Sequence, residues 1–121
     1  MAEELPPQLQ DKIMQFQQLQ QQIQLITNQK VQLESQARDN EKAISELGKA
    51  TDDTPIYKSV GSLFVRAEDK VSVENELNER KETLDIRIKA IDRQEKQLME
   101  KYQALQQDLS QAISASRQPS G

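Results

Sequence analysis

Apolar residues recur along two long stretches of this chain at alternating spacings of three and four, with polar residues between them. In the first stretch one heptad position reads Leu9, Phe16, Ile23, Lys30, Ala37, Ile44, and the position three residues on reads Lys12, Leu19, Ile26, Leu33, Asn40, Leu47. Nine of these twelve are apolar over nearly six heptads, which is the pattern of a coiled-coil seam. The second stretch repeats Leu77, Leu84, Ile91, Leu98, Leu105, Ala112, with Lys81, Ile88, Glu95, Tyr102, Leu109 as companions. The pattern predicts helices over about 8–48 and 72–115, each roughly 60 Å long at 1.5 Å per residue.

Proline and glycine punctuate these stretches. Pro6 and Pro7 precede the first, where proline suits an opening helical turn, and Gly48 falls at a C-cap position behind it. A loop and hairpin are expected over 49–71 and a short tail over 116–121, all within one domain spanning 1–121. The expected fold is therefore dominated by α-helix, a long antiparallel two-stranded coiled coil with a small β-hairpin at the connecting end.

In one antiparallel register the numbers of facing seam residues sum to 121: Phe16 with Leu105, Ile23 with Leu98, Ala37 with Leu84, Ile44 with Leu77. This register sets Asn40 beside Lys81 and Lys30 one layer from Glu95. Two readings of these four polar positions stay open. Either they pin the register, as buried polar groups in a seam can, or they are simply exposed along a loose seam.

Between the helices, Ile56-Tyr57-Lys58-Ser59-Val60 and Leu63-Phe64-Val65-Arg66-Ala67 flank Gly61-Ser62. A two-residue loop with glycine first suits a type II′ hairpin. Val60 then opposes Leu63, Lys58 opposes Val65, and Ile56 opposes Ala67, on a face that is apolar except for one lysine. The other face carries Ser59 with Phe64 and Tyr57 with Arg66. A lone hairpin is marginal in water and has two open edges. Joining copies edge to edge into a barrel would remove those edges, which assigns assembly to Ile56, Tyr57, Val60, Gly61, Leu63, Phe64 and Val65. The alternative is a hairpin folded back on its own coiled coil.

Composition narrows the function. The chain has no histidine and no cysteine, which removes imidazole acid–base chemistry, thiol nucleophiles and disulfides. It also lacks a glycine-rich phosphate loop or a metal-ligand cluster, and Asp52-Asp53 before Thr54-Pro55 reads as a turn rather than a catalytic pair. No enzyme and no cofactor are expected. The net charge of −4 with no basic block speaks against nucleic acid and against a membrane surface. No apolar run approaches the roughly 20 residues of a membrane span, and Met1-Ala2-Glu3-Glu4 lacks a signal-peptide pattern, so a cytoplasmic location is expected.

Charge is also distributed unevenly. Residues 66–101 carry 19 charges in 36 positions, whereas between Leu5 and Gln29 only Asp11 and Lys12 are charged, and from Tyr102 onward only Asp108 and Arg117. Glutamine and large apolar residues fill the remainder: Leu5, Leu9, Ile13, Met14, Phe16 and Leu19 near one end, with Leu105, Leu109 and Ile113 near the other. An uncharged, adaptable surface of this kind could grip apolar segments of other proteins without demanding a sequence. Most of these residues are equally ordinary seam positions, and glutamine is a fair helix former. A passive structural or adaptor coiled coil is thus the rival reading, although it predicts even charge and has no use for the hairpin.

The chain resembles the prefoldin family, specifically its β-class subunits of the archaeal type, essentially from end to end. The resemblance rests on Phe16-Gln17-Gln18-Leu19-Gln20-Gln21-Gln22, on Asp52-Asp53 followed by Ile56-Tyr57-Lys58-Ser59-Val60-Gly61, on Asp92-Arg93-Gln94-Glu95, and on the single hairpin. It implies a hexamer of two α-class and four β-class subunits, with a double β-barrel platform and six coiled-coil tentacles. It further implies an ATP-independent chaperone that binds non-native polypeptides between the tentacle tips and passes them to a group II chaperonin. By position, client contact would fall to residues 5–19 and 105–113.

Overall fold

The computed structural model describes residues 5–117, with side chains through Ala115. It contains α1 (Pro7–Gly48), β1 (Tyr57–Val60), β2 (Leu63–Arg66) and α2 (Lys70–Arg117). Two compact units make up the chain: a terminal unit of Met1–Lys30 with Ile91–Gly121, and a central unit of Val31–Ala90. Each contains a length of both helices. No helix among the described residues is long and apolar enough to cross a membrane.

Each unit carries its own length of the seam, as the heptads require. Every seam position named above is buried or half-buried except Lys81. Leu9, Leu19 and Leu109 are the best-buried leucines of the terminal unit, and Leu47 and Leu84 those of the central unit. Two narrow apolar stripes can only bury against each other, so these positions stay partly covered while the intervening residues are solvated.

The helix ends depart from the simplest expectation. Pro7 opens α1, and Gln10 donates its backbone N–H to the Pro6 carbonyl at 3.0 Å. Gly48 is the last residue of α1 and does not take a left-handed conformation; Gly61 is the only described glycine with positive φ. The expected glycine cap is replaced by two tight turns, Lys49 N–H to the Glu46 carbonyl and Ala50 N–H to the Leu47 carbonyl, both 3.1 Å. These i→i+3 bonds satisfy end carbonyls that a left-handed cap would otherwise meet. Helix α2 starts at Lys70, two residues before the expected position, because the Asp69 carboxylate accepts the Ser72 backbone N–H at 2.6 Å and so acts as N-cap. It runs through Arg117, past the expected end, and residues 118–121 of the expected tail lie outside the described residues.

Between the helices, Thr51 to Thr54 forms a turn closed by Thr54 N–H to the Thr51 carbonyl at 3.0 Å. The Thr54 hydroxyl oxygen accepts the Thr51 N–H, also at 3.0 Å. Asp52 and Asp53 occupy the middle of this turn. The strands pair antiparallel as Tyr57–Arg66, Lys58–Val65, Ser59–Phe64 and Val60–Leu63. Ala67 N–H to the Ile56 carbonyl at 2.8 Å extends the ladder. Gly61 has φ +58°, and Ser62 does not share the positive sign. That combination separates a type II′ turn from a type I′ turn, which needs positive φ at both residues.

Candidate functional site

In the central unit the hairpin presents its apolar residues rather than hiding them. Val60 is 55% exposed, Leu63 66% and Phe64 79%, with Tyr57 and Val65 also exposed. Only Lys58 among the eight strand residues is half-buried, and it forms an ion pair with Glu76 of α2 at 2.9 Å. Ile56 and Ala67 beside it are half-buried too. Beneath this end of the hairpin lies a cavity of about 520 Å³, lined on its apolar side by Leu47, Pro55, Ile56, Val60, Val73 and Leu77. The Ile56–Lys58 end therefore leans on its own helices, Val60 borders the same cavity, and Leu63, Phe64 and Val65 lie outside its lining and stay exposed. This is a division between the two readings of the hairpin rather than a choice of one.

The four polar seam residues also divide. Asn40 is 5% exposed and donates its amide to the Leu77 backbone carbonyl at 2.9 Å, while its Oδ1 is buried without a hydrogen-bond partner among the described residues. Lys30 sits half-buried between Asp92 at 2.9 Å and Glu95 at 3.1 Å. Glu95 also accepts the Thr27 hydroxyl at 3.2 Å. The hydrogen bonds it donates to Asp92, first, and to Glu95 hold the Lys30 pKa well above the ordinary lysine value.

Lys81 and Asn40, expected side by side, take different partners: Asn40 bonds Leu77, one turn before Lys81, and Lys81 bonds the neighbour of Asn40. Lys81 lies exposed on the surface and bonds Glu41 at 3.0 Å, which raises its pKa through the hydrogen bond and charge of that carboxylate. The physical reason is desolvation: a buried ammonium beside a neutral amide would lack a counter-charge. The long lysine stem instead carries the charge out to an acid. Asn40, being short, finds the nearest carbonyl of the facing helix.

In the terminal unit the apolar residues singled out from the sequence separate into two sets. Leu9, Leu19 and Leu109 are buried in the seam, and Ile13 and Leu105 are half-buried. Phe16 is half-buried and stacks on Tyr102 with ring centroids 4.8 Å apart and planes 25° from parallel, a contact within the reach of aromatic pairs. Leu5, Met14 and Ile113 remain on the exposed side. The heptads mark Phe16 and Tyr102 only as seam residues, and nothing further in the sequence signals that the two rings stack. Around these residues the surface is glutamine. Gln15, Gln18 and Gln22 line a shallow groove of about 420 Å³ with Leu19 and Leu105 beneath.

Comparison with known proteins places this geometry. Residues 10–116 match the family described as Prefoldin subunit. The chain is 49% identical over 111 residues to the prefoldin subunit beta of Archaeoglobus fulgidus, covering 92% of this chain and 95% of that protein. It is 41% identical over 113 residues to the prefoldin subunit beta of Methanosarcina acetivorans, covering 93% and 96%. The crystal structure of the prefoldin beta subunit from Thermococcus strain KS-1 aligns with a TM-score of 0.80 at 38% identity, covering 98% of this chain and all of that one. A match that takes in both helices, the hairpin and the seam leaves one assignment: this chain belongs to the prefoldin subunit family.

Proposed function

We propose that this chaperone subunit holds exposed apolar segments of non-native proteins at its terminal unit, without nucleotide, and assembles with sister subunits through its hairpin. The assembly is an α2β4 hexamer with an α-class partner and further β-class copies, acting in the cytoplasm, and the client passes to a group II chaperonin. The observation that carries this reading is the exposed apolar set at the hairpin turn, Val60, Leu63, Phe64 and Val65, on an element with two open strand edges. Such a set in a chain this polar calls for a partner. The charge-poor stretches 5–29 and 102–117, with Leu5 and Met14 exposed, support client contact at residues 5–19 and 105–113.

Deleting residues 1–15 and 106–121 tests the division of labour. The truncated chain should still assemble but should no longer suppress aggregation of a denatured client; protection by the truncated chain would contradict the reading. Adding or withholding ATP should change neither result. A passive adaptor coiled coil retains one observation in its favour, the burial of Leu9, Leu19 and Leu109 in the seam, and it predicts no protection by the intact protein.

A further inference from the structure

The seam consumes much of the apolar surface that the terminal unit has to offer. Leu9, Leu19 and Leu109 are buried there, and Phe16 is committed to Tyr102. On the α1 side what remains outside is mainly amide: ten glutamines fall from Leu5 to Gln29, against two charged residues, with Leu5, Met14 and Leu25 exposed among them. Apolar contact therefore accounts for only part of what this surface can do, and the glutamine side chains require a role of their own.

Three of them converge. Gln15, Gln18 and Gln22 share one groove, whose floor is Leu19 and Leu105 and whose α2 side carries Lys101 and Asp108. Positions 15, 18 and 22 are spaced three and four apart, so they stand in a row on one face of α1. Gln18 and Gln22 are separated by about 6 Å along the helix axis, and Gln15 and Gln22 by about 10 Å. An extended polypeptide rises about 3.3 Å per residue, so amides on one side of it repeat at nearly 7 Å. About three residues of extended chain span the row, and the flexible glutamine side chains can absorb the small difference in repeat.

The chemistry agrees with the spacing. A carboxamide donates and accepts at once, as a peptide group does, and a row of carboxamides complements a main chain whatever its side chains are. The two charges of the groove have opposite signs and cancel, so it is matched to a neutral, dipolar occupant rather than to an acidic or basic segment. Its apolar floor leaves room for an apolar side chain between the amides.

We propose that Gln15, Gln18 and Gln22 form an amide row that hydrogen-bonds the main chain of an extended, unfolded polypeptide lying over Leu19 and Leu105. This deepens the client-binding reading and rests on it. It supplies a physical basis for recognition that ignores sequence yet excludes folded proteins, whose backbone amides are already paired.

The test uses the full chain assembled with its partner subunit and two labelled peptides with identical apolar side chains, one of them N-methylated at alternate backbone amides. Binding is followed by fluorescence anisotropy. The proposal expects the N-methylated peptide to bind more weakly, by about five-fold per hydrogen bond lost. In the triple variant Gln15→Met, Gln18→Met, Gln22→Met the difference should vanish. Methionine keeps side-chain length and helix propensity while removing the amide, and a Gln→Ala triple variant with unchanged helix content guards against a folding defect. Equal binding of both peptides to the unsubstituted protein would overturn the amide row and leave client binding standing. Failure to bind either peptide would overturn both.

Discussion

Asn40 of α1 donates its side-chain amide to the backbone carbonyl of Leu77 in α2, at 2.9 Å, from a position only 5% exposed. One polar side chain thus reads the backbone of the facing helix, at a height on α2 that a slip of the helices would change. Its Oδ1 has no partner among the described residues, so the bond is made at a cost. Removing a buried unsatisfied oxygen and adding apolar contact should stabilise the fold by on the order of 1–2 kcal/mol. Asn40→Leu is therefore expected to raise the urea midpoint. The same variant should lose uniqueness. A cysteine pair introduced by Ala37→Cys and Leu84→Cys should cross-link in good yield when Asn40 is kept, and in lower yield when Asn40→Leu is added. A lower urea midpoint would show that the Leu77 bond outweighs the unpaired oxygen, and unchanged cross-linking would show that Asn40 does not set the register.

Lys30 makes a pH-dependent contribution of known sign. Asp92 and Glu95 raise its pKa in the folded chain above the ordinary 10.5. A group with a raised folded pKa stabilises fully below its unfolded pKa and loses that contribution as pH climbs towards the folded value. Lys30→Met should lower Tm at neutral pH, and the gap from the parent should stay level to about pH 10. Above about pH 10.5 the gap should narrow. A gap that narrows instead on acidification to about pH 6 would contradict this assignment.

The hairpin turn depends on one backbone conformation. Gly61 has φ +58° and nothing lies within 4 Å of the place a Cβ would occupy. Gly61→Ala therefore meets no clash, only the left-handed backbone penalty, about 1–2 kcal/mol for an L-residue. Native mass spectrometry should show weakened assembly, while circular dichroism should show helix content unchanged.

Charge placed on the exposed hairpin face should act on assembly alone. Val60 and Val65 are both exposed in the single chain, so Val60→Asp or Val65→Asp disturbs little within it. Each should shift native mass to smaller species at concentrations where the parent is assembled, because a carboxylate at a closed interface would be buried without a counter-charge. An unchanged native mass would rule out the barrel.

Asp69 caps α2 through the Ser72 N–H. Asp69→Ala should cost about 1 kcal/mol, read as a lower urea midpoint, and Asp69→Ser should recover most of it.

The heptads carry the two helices and the seam, because a stripe narrow enough to need one partner leaves few ways to bury it. The hairpin pairing follows as directly from Gly61-Ser62, since a two-residue loop dictates register. Local chemistry at the helix ends was less legible. Asp69 is a readable N-cap once the helix is known to start at Lys70, but Gly48 looks like a left-handed cap and is not one, because tight turns through Lys49 and Ala50 satisfy the same carbonyls.

What periodicity could not decide is which polar group each seam residue would meet. Asn40 and Lys81 face each other by number, yet one turns to a carbonyl and the other to Glu41. That choice depends on side-chain reach and on the desolvation of an ammonium, both set by the packed pair of helices. In the terminal unit spacing already sets Leu9, Leu19 and Leu109 in the seam, but only packing shows how completely it buries them and that Gln15, Gln18 and Gln22 share one groove beside Leu19 and Leu105. Pattern specifies which residues must be covered; the distances between packed elements determine what covers them and what is left over to bind.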